Sequence, residues 1–324
     1  MINLSVIIPT RNRATTLSVA LESVARQTLD KSLFEVIVCD NNSTDDTEKV
    51  ARSFAGKFQN FKYLKTLEPG LHVGRNKGFQ EAQGEILVYV DDDIEAFPEW
   101  LSTIYKVFAD KNVALVGGKN LPKWENPPDW ALKMWNHRDD EDKILGYFSI
   151  LDLGNKIKET SPYYVFGCNF SVRKRIIKEA RGFHPDGMPQ EMTAYRGDGE
   201  SSVSAYIEQK GYKTIYHPKA SVYHLVPKER LTFDYLKKRG FGHGVSDSYV
   251  EIRNKKVLSA QKTTSIKYLF KKILYHLVNF YKKPRVEIHQ KIYEEGYKEG
   301  YNFHQQKVKK NKELMAWVTK NNYL

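Results

Sequence analysis

The chain has 324 residues, of which 41% are hydrophobic and 28% are charged. These fractions lie near globular averages and exclude a disordered chain, a collagen-like repeat and a coiled-coil rod. At roughly 150 residues per domain, the length predicts two units, or one large α/β domain with an appendage. The two cysteines, Cys39 and Cys168, cannot form a disulfide framework, which favours a reducing cytosol.

The net charge of +12 is unevenly distributed along the chain. Residues 251–324 hold 17 of the 51 Lys and Arg residues and 6 of the 39 acidic residues, so their net charge is +11 and that of residues 1–250 is +1. A polyanionic surface would therefore meet the C-terminal segment. With neither a secretion signal nor a membrane span predicted, we expect a cytoplasmic protein whose basic segment is suited to the inner face of the membrane.

The first part of the chain alternates between apolar runs and helical patterns. Apolar runs at 4–9, 34–39 and 86–90 predict buried strands, and the spacing within 46–54 and 74–82 predicts helices. This alternation indicates βαβ units in an open, mostly parallel sheet. Ligands bind at the carboxyl ends of the strands in such sheets, and a polar cluster follows each of these apolar runs.

Farther along, the elements are less regular. Strands are predicted at 113–117, 163–172 and 214–216, helices at 174–180 and 200–210, and an irregular excursion over 120–162. Glycines at 240, 242 and 244 indicate either a turn between helices or a mobile lid, and we favour the turn. The tail predicts an amphipathic helix over 265–283 and a second helix over 287–318. Gly296 and Gly300 in that last helix indicate close helix packing.

Three adjacent carboxylates, Asp91, Asp92 and Asp93, follow the run at 86–90. Holding them together is costly unless a cation or a basic group neutralises them. Oxygen ligands with open positions suit Mg²⁺ or Mn²⁺ bridging to substrate phosphates. A solvated acidic turn that caps the next helix explains the three residues equally well. Dinucleotide, P-loop and zinc motifs are absent from the sequence, so those enzyme classes lose their usual support.

Four segments in order resemble the successive signatures of family 2 inverting glycosyltransferases of the GT-A fold. They are 5–12, 36–45, 74–78 and the acidic run 91–93 with Pro98 and Leu101. The resemblance is close over about residues 3–120 and looser to about residue 225. It implies an α/β GT-A fold with a mostly parallel sheet flanked by helices. The domains expected are a glycosyltransferase domain at 1–250, with a nucleotide-sugar half at 1–120 and an acceptor half at 121–250, and a basic helical extension at 251–324.

The resemblance also implies roles for individual residues. Contacts to the nucleotide-sugar would come from Pro9, Thr10, Arg11, Asp40, Arg75, Asp91 and Asp92, with Asp40 on the base. Asp93 and Asp91 would bind Mn²⁺ or Mg²⁺, together with His224, although a strand-end histidine taken alone is more often a structural residue. The chain has Asn41 and Asn42 where the family usually shows Asp-Gly, which leaves the base identity open.

Inversion by a single displacement requires a carboxylate that deprotonates the acceptor hydroxyl. The family pattern corresponds to the stretch 197–200, so Asp198 is the predicted catalytic base. Glu191 and Glu200 lie near enough in sequence to leave the register open. Asp198 as a plain cap of the following helix is compatible with this role.

These inferences predict a metal-dependent glycosyltransferase that uses a nucleotide-sugar, first of all a UDP-sugar. The family resemblance further implies a glycan or lipid-linked acceptor in surface polysaccharide synthesis. One alternative is a sugar nucleotidyltransferase, which can share the sheet and the metal carboxylates but releases pyrophosphate. A basic nucleic-acid-binding protein is a second alternative, and the near-neutral residues 1–250 argue against it.

Overall fold

The computed structural model describes residues 2–136, 142–260 and 288–324. The chain forms two compact units. The first comprises Met1–Pro189, Gly199–Leu231 and Asn322–Leu324, and the second comprises Gln190–Asp198 and Thr232–Asn321. The domain boundary predicted after residue 250 falls inside a helix of the second unit, Phe233–Ala260.

The first unit contains two sheets. Its strands are β1 Leu4–Thr10, β2 Phe34–Asp40, β3 Phe61–Lys65, β4 Ile86–Val90, β5 Ile94–Ala96, β6 Val113–Gly117, β7 Asn120–Trp124, β8 Lys143–Leu145, β9 Ile150–Asp152, β10 Lys158–Glu159, β11 Asn169–Arg173, β12 Lys213–Tyr216 and β13 Val222–Val226. The larger sheet has eight strands in the order β10-β12-β6-β11-β4-β1-β2-β3. Its β4, β1, β2 and β3 run parallel, and β11 is antiparallel to both of its neighbours. The predicted mostly parallel α/β sheet is confirmed.

Helices cover the larger sheet on both faces, which explains its continuous apolar strands. The helices of this unit are α1 Ala14–Ala25, α2 Thr47–Ser53, α3 Leu71–Glu81, α4 Trp100–Val107, α5 Asp129–Asn136, α6 Lys174–Glu179 and α7 Ser201–Lys210. Alternate residues of β1 enter different cores: Ile8 belongs to the cluster of Leu17 from α1, and Ile7 to the cluster of Phe183. Every residue of β1, β2 and β4 is buried.

The smaller sheet has five strands in the order β5-β13-β7-β9-β8. The prediction of an irregular excursion over 120–162 is wrong, because β7, α5, β8, β9 and β10 all lie within it. β7 pairs in parallel with β13, so that Asn120 lies opposite Val222. The hydrogen bonds that make this segment a strand come from a partner about a hundred residues away, which no local periodicity reports.

The second unit is helical. It contains α8 Phe233–Ala260, α9 Ile288–Lys310, α10 Lys312–Val318 and a 3-10 segment at Gln190–Tyr195. The predicted helix over 287–318 is interrupted at Asn311, whose side chain accepts a hydrogen bond from Leu314 N at 3.0 Å and so caps α10. The predicted helix over 265–283 lies outside the described residues. Among the helices that the structure describes, none combines the length and the apolarity needed to cross a membrane.

Glycines bring α8 and α9 into backbone contact. A Cβ added to Gly240 would overlap the carbonyl oxygen of Tyr293, and one added to Gly300 would overlap that of Phe241. Because the contacting residue numbers rise together, the two helices run parallel. The turn or lid predicted around residues 240–244 is therefore wrong: these glycines lie inside a helix, where a partner backbone approaches closely. The close packing predicted for the last helix is confirmed.

We expect Gly300→Ala to lower the thermal unfolding midpoint, because the new methyl group meets a backbone carbonyl that cannot rotate away as a side chain would. Overpacking of this kind costs about 1–3 kcal/mol. Circular dichroism on heating measures the effect. Gly56→Ala is the control, since a Cβ there meets nothing within 4 Å. Equal midpoints for the two variants would contradict the contact described.

Candidate functional site

The polar ends of three neighbouring strands meet at one edge of the larger sheet. β1 ends at Thr10 and β2 ends at Asp40, and these two residues are paired in register. On the other side of β1, β4 ends at Val90 and leads directly into the acidic turn 91–93. Pro9 and Thr10 are buried and the following Arg11 is exposed. The strand-end clusters recognised in the sequence therefore form one continuous edge.

Asp40 is fully buried and both of its carboxylate oxygens have protein partners. Oδ1 accepts a hydrogen bond from Ser43 N at 2.8 Å, and Oδ2 accepts one from the Tyr63 hydroxyl at 2.5 Å. Burial and the bond to Asp40 raise the pKa of Tyr63 well above its ordinary value. This arrangement fixes the carboxylate at the end of β2, and its contact to a nucleobase stays a prediction.

Close packing of α3 on the sheet sets the position of Arg75. A Cβ added to Gly74 would lie 3.2 Å from Pro9 Cβ, and one added to Gly78 would overlap Ile7 Cγ2. With both positions glycine, α3 lies directly against β1, and the Arg75 side chain is 3% exposed. Such a buried guanidinium requires anionic partners.

Those partners are two carboxylates on different elements. Arg75 Nη1 lies 2.9 Å from Glu200 Oε2, and Nη2 lies 3.6 Å from Asp91 Oδ1. Glu200 Oε1 also accepts a hydrogen bond from Gly167 N at 3.1 Å. A Cβ at Gly167 would overlap the Arg75 guanidinium, so only glycine leaves room for this network. This network connects Glu200 to the acidic turn. In the sequence, Glu200 was only an alternative to the predicted catalytic base.

Each carboxylate of the acidic turn has its own partners. Asp92 accepts a hydrogen bond from Thr10 Oγ1 at 2.6 Å, and burial together with the charge of Asp93 raises the pKa of Asp92 to about 7. Asp93 Oδ2 lies 3.0 Å from Arg230 Nη2 and 3.3 Å from Arg13 Nη1. Basic side chains of the protein thus supply part of the neutralisation that three adjacent carboxylates require.

His224 reaches Asp93 through strand pairing. β5 begins directly after Asp93, and in the antiparallel pair with β13 its first residue, Ile94, lies opposite His224. The backbone of Leu225 donates a hydrogen bond to the carbonyl of Asp93 at 2.9 Å, and His224 Nε2 lies 3.3 Å from Asp93 Oδ1. Burial would raise the pKa of Asp93, but the contact with His224 and the charges of Arg230 and Arg13 hold that pKa well below its ordinary value.

One group of side chains in the described part of the chain could hold a metal ion. Asp91, Asp93 and His224 each offer a ligand atom, and these atoms lie within 4.8 Å of one another. Within the described residues, His224 Nδ1 is buried without a hydrogen-bond partner, and the only close contact of the buried Asp93 Oδ1 is the 3.3 Å one with His224 Nε2, so donor capacity remains for a ligand. Two carboxylates and an imidazole form a donor set that fits Mn²⁺ and also accepts Mg²⁺.

The structure brings together nearly all of the predicted site residues. Asp198 and Glu191 belong to the second unit. The other predicted site residues belong to the first unit, where they lie in the strand-end motifs, α3, the acidic turn and β13. Sequence reasoning missed Arg13 and Arg230. Arg13 directly follows the recognised motif 5–12, so proximity was a signal for it, but no motif marks Arg230.

Comparison with known proteins gives a family match and several relatives. The family described as Glycosyl transferase family 2 matches residues 5–181. A glucosyl-dolichyl phosphate glucuronosyltransferase of Haloferax volcanii is 27% identical over 242 residues, which are 72% of this chain and 72% of that protein. The GalNAc(5)-diNAcBac-PP-undecaprenol beta-1,3-glucosyltransferase of Campylobacter jejuni is 26% identical over 243 residues, 73% of this chain and 69% of the relative. Glycosyltransferase AglE of Haloferax volcanii is 36% identical over 115 residues, 35% of this chain and 38% of its own length.

A solved structure has the same fold. The mannosyltransferase PcManGT from Pyrobaculum calidifontis, in complex with GDP-Man and Mn²⁺, matches 98% of this chain and 83% of its own with a TM-score of 0.58 and 19% sequence identity. At that identity the likeness concerns the fold. The family match covers more than half of the chain, and the relatives are glycosyltransferases: this protein belongs to glycosyltransferase family 2 and is a glycosyltransferase of the GT-A fold.

Proposed function

We propose that this protein is a metal-dependent inverting glycosyltransferase that moves a sugar from a nucleoside diphospho-sugar to an acceptor hydroxyl. The observation that carries the proposal is the cluster of Asp91, Asp93 and His224 at the end of β4, whose possible ligand atoms lie within 4.8 Å of one another. The Mn²⁺ and GDP-Man bound by PcManGT support the metal and the class of donor. Mn²⁺ or Mg²⁺ is the proposed ion, and a UDP-sugar is the first donor to test.

A divalent cation at this cluster would stabilise the negative charge that develops on the departing diphosphate. The chain's own residues perform the remaining tasks. A carboxylate accepts the proton of the acceptor hydroxyl, whose oxygen attacks the anomeric carbon opposite the diphosphate. The bond from that carbon to the diphosphate oxygen breaks, and its electron pair leaves with the nucleoside diphosphate. One displacement of this kind inverts the anomeric configuration.

The metal cluster generates the first functional prediction. Asp93→Asn keeps the shape of the side chain but removes the charge that binds the cation, so Mn²⁺-dependent transfer should be lost. A thermal-shift panel of UDP-, GDP- and dTDP-sugars with and without Mn²⁺ identifies the donor, because a ligand at 100 times its Kd adds about 2.7 kcal/mol of stability. The wild-type protein should respond to one donor class in the presence of Mn²⁺, and Asp93→Asn should not.

The control is Asp129→Asn, which alters an exposed carboxylate in the first turn of α5. It should keep both the Mn²⁺ response and the transfer activity of the wild-type protein. Full transfer activity of the wild-type protein in excess EDTA would overturn metal dependence while leaving the family assignment in place.

Two carboxylates before α7 are the principal candidates for the base. Asp198 is the candidate from the family pattern. Glu200 is the candidate by position, because its carboxylate is held by Gly167 N and by Arg75, which also contacts Asp91 of the proposed metal site. Arg75 holds Glu200 through a directional, charge-assisted hydrogen bond and lies at ion-pair distance from Asp91.

Amide substitutions separate these candidates. Asp198→Asn and Glu200→Gln each keep the shape and remove the basicity, and loss of a general base lowers the rate about 10²–10⁴-fold. The variant that lacks the catalytic base should show that loss in single-turnover transfer. Its affinity for the nucleoside diphosphate should stay near that of the wild-type protein. Glu191→Gln is the third variant of the set. If none of the three loses more than about tenfold, a carboxylate base from this segment is excluded.

We also propose a lipid-linked acceptor in the assembly of a surface glycan. Two of the relatives are a glucosyl-dolichyl phosphate glucuronosyltransferase and a GalNAc(5)-diNAcBac-PP-undecaprenol glucosyltransferase. The net charge of +11 on residues 251–324 is suited to an anionic leaflet. Cosedimentation of the full chain with vesicles measures this. Binding to anionic vesicles should exceed binding to neutral vesicles and should fall at high salt. Absence of binding to anionic vesicles at low salt would reject the membrane contact.

A further inference from the structure

Asp93 is held by two arginines from opposite ends of the first unit's sequence. Arg13 lies directly before α1, and Arg230 lies in a 3-10 turn after β13. Both guanidinium groups contact the same oxygen, Asp93 Oδ2, at 3.3 Å and 3.0 Å. The carboxylate that a metal would bind therefore already has two cationic partners.

The exposures of these side chains indicate their order relative to solvent. Asp93 is 4% exposed, whereas Arg230 is 21% and Arg13 is 39% exposed. The arginines therefore lie on the solvent side of a buried carboxylate, where an incoming anion meets them first. Arg75 differs from these two arginines, because it is buried between Asp91 and Glu200. It serves to hold these two carboxylates in place.

The charges of the site do not favour a cation by itself. Three negative groups, Asp91, Asp93 and Glu200, face three positive ones, Arg13, Arg75 and Arg230. A cation that enters alone also meets the repulsion of two nearby guanidinium groups. A diphosphate offers both arginines new partners through charge-assisted hydrogen bonds.

We propose that Arg13 and Arg230 bind the diphosphate of the donor. Until the donor binds, both arginines remain paired with Asp93, so that the cation and the nucleotide bind together. This inference rests on the proposed metal-dependent function. Its consequence is a positive coupling between the two ligands, which by linkage is equal in both directions. The nucleotide tightens Mn²⁺ binding by the same factor by which Mn²⁺ tightens nucleotide binding.

The test measures binding of Mn²⁺ and of nucleotide separately on the full chain. The electron paramagnetic resonance signal of free Mn²⁺ gives the affinity for the ion, and calorimetry gives the affinity for UDP and, in parallel, GDP. For the wild-type protein we expect Mn²⁺ to bind at least about tenfold more tightly with one of these nucleotides present, within the usual range of coupling. Arg230→Gln and Arg13→Gln should tighten binding of Mn²⁺ alone, weaken binding of the nucleotide and reduce the coupling factor.

Arg175→Gln is the matched control, because Arg175 forms a half-exposed pair with Glu179 one turn away on α6. It should leave both affinities unchanged. Tight binding of Mn²⁺ alone to the wild-type protein, or variants of Arg230 and Arg13 with wild-type coupling, overturns the inference and leaves metal dependence standing. If the wild-type protein binds no Mn²⁺ with either nucleotide and Asp93→Asn changes nothing, the proposed metal site itself fails and the inference fails with it.

Discussion

The pairing of β5 with β13 is the constraint on which the site depends. The acidic turn leaves the larger sheet at Val90 and enters the smaller sheet at Ile94, opposite His224. The bond from Leu225 N to the Asp93 carbonyl fixes the backbone of that turn. Two sheets therefore determine where Asp93 lies, because backbone hydrogen bonds position the segments that carry the side chains of Asp93 and His224.

A buried polar network beside the turn connects the two sheets. Asn169 of β11 lies opposite Val90 in the larger sheet and donates to Asn120 Oδ1 of β7 in the smaller sheet at 3.2 Å. Its own Oδ1 accepts a hydrogen bond from Trp100 Nε1 at 2.9 Å. An amide satisfied on both sides in a low-dielectric core specifies one arrangement of its neighbours. This network gives the acidic turn a rigid support, and preorganised electrostatic catalysis requires such rigidity.

Charge pairing explains how so many ionised groups share one buried edge. Asp91 and Glu200 bracket Arg75, and Asp93 contacts Arg13 and Arg230. Breaking one member of such a group leaves an uncompensated charge, so the cluster tolerates the loss of a partner poorly unless a ligand replaces it. A diphosphate bound with its cation would be such a replacement. The charge pairs that stabilise the free site are therefore also the groups that take part in the proposed chemistry.

The sequence by itself determined the parallel sheet, the strand-end motifs and the acidic turn, because apolar periodicity and polar strand ends are local consequences of burial. The meeting of His224 with Asp93 was available only through family resemblance. The β7 pairing, the position of Gly240 inside a helix and the contact of Arg230 with Asp93 were decided by tertiary structure alone. Each depends on a partner more than fifty residues away, and the free energy of such a contact leaves no periodic signal in the segment that makes it.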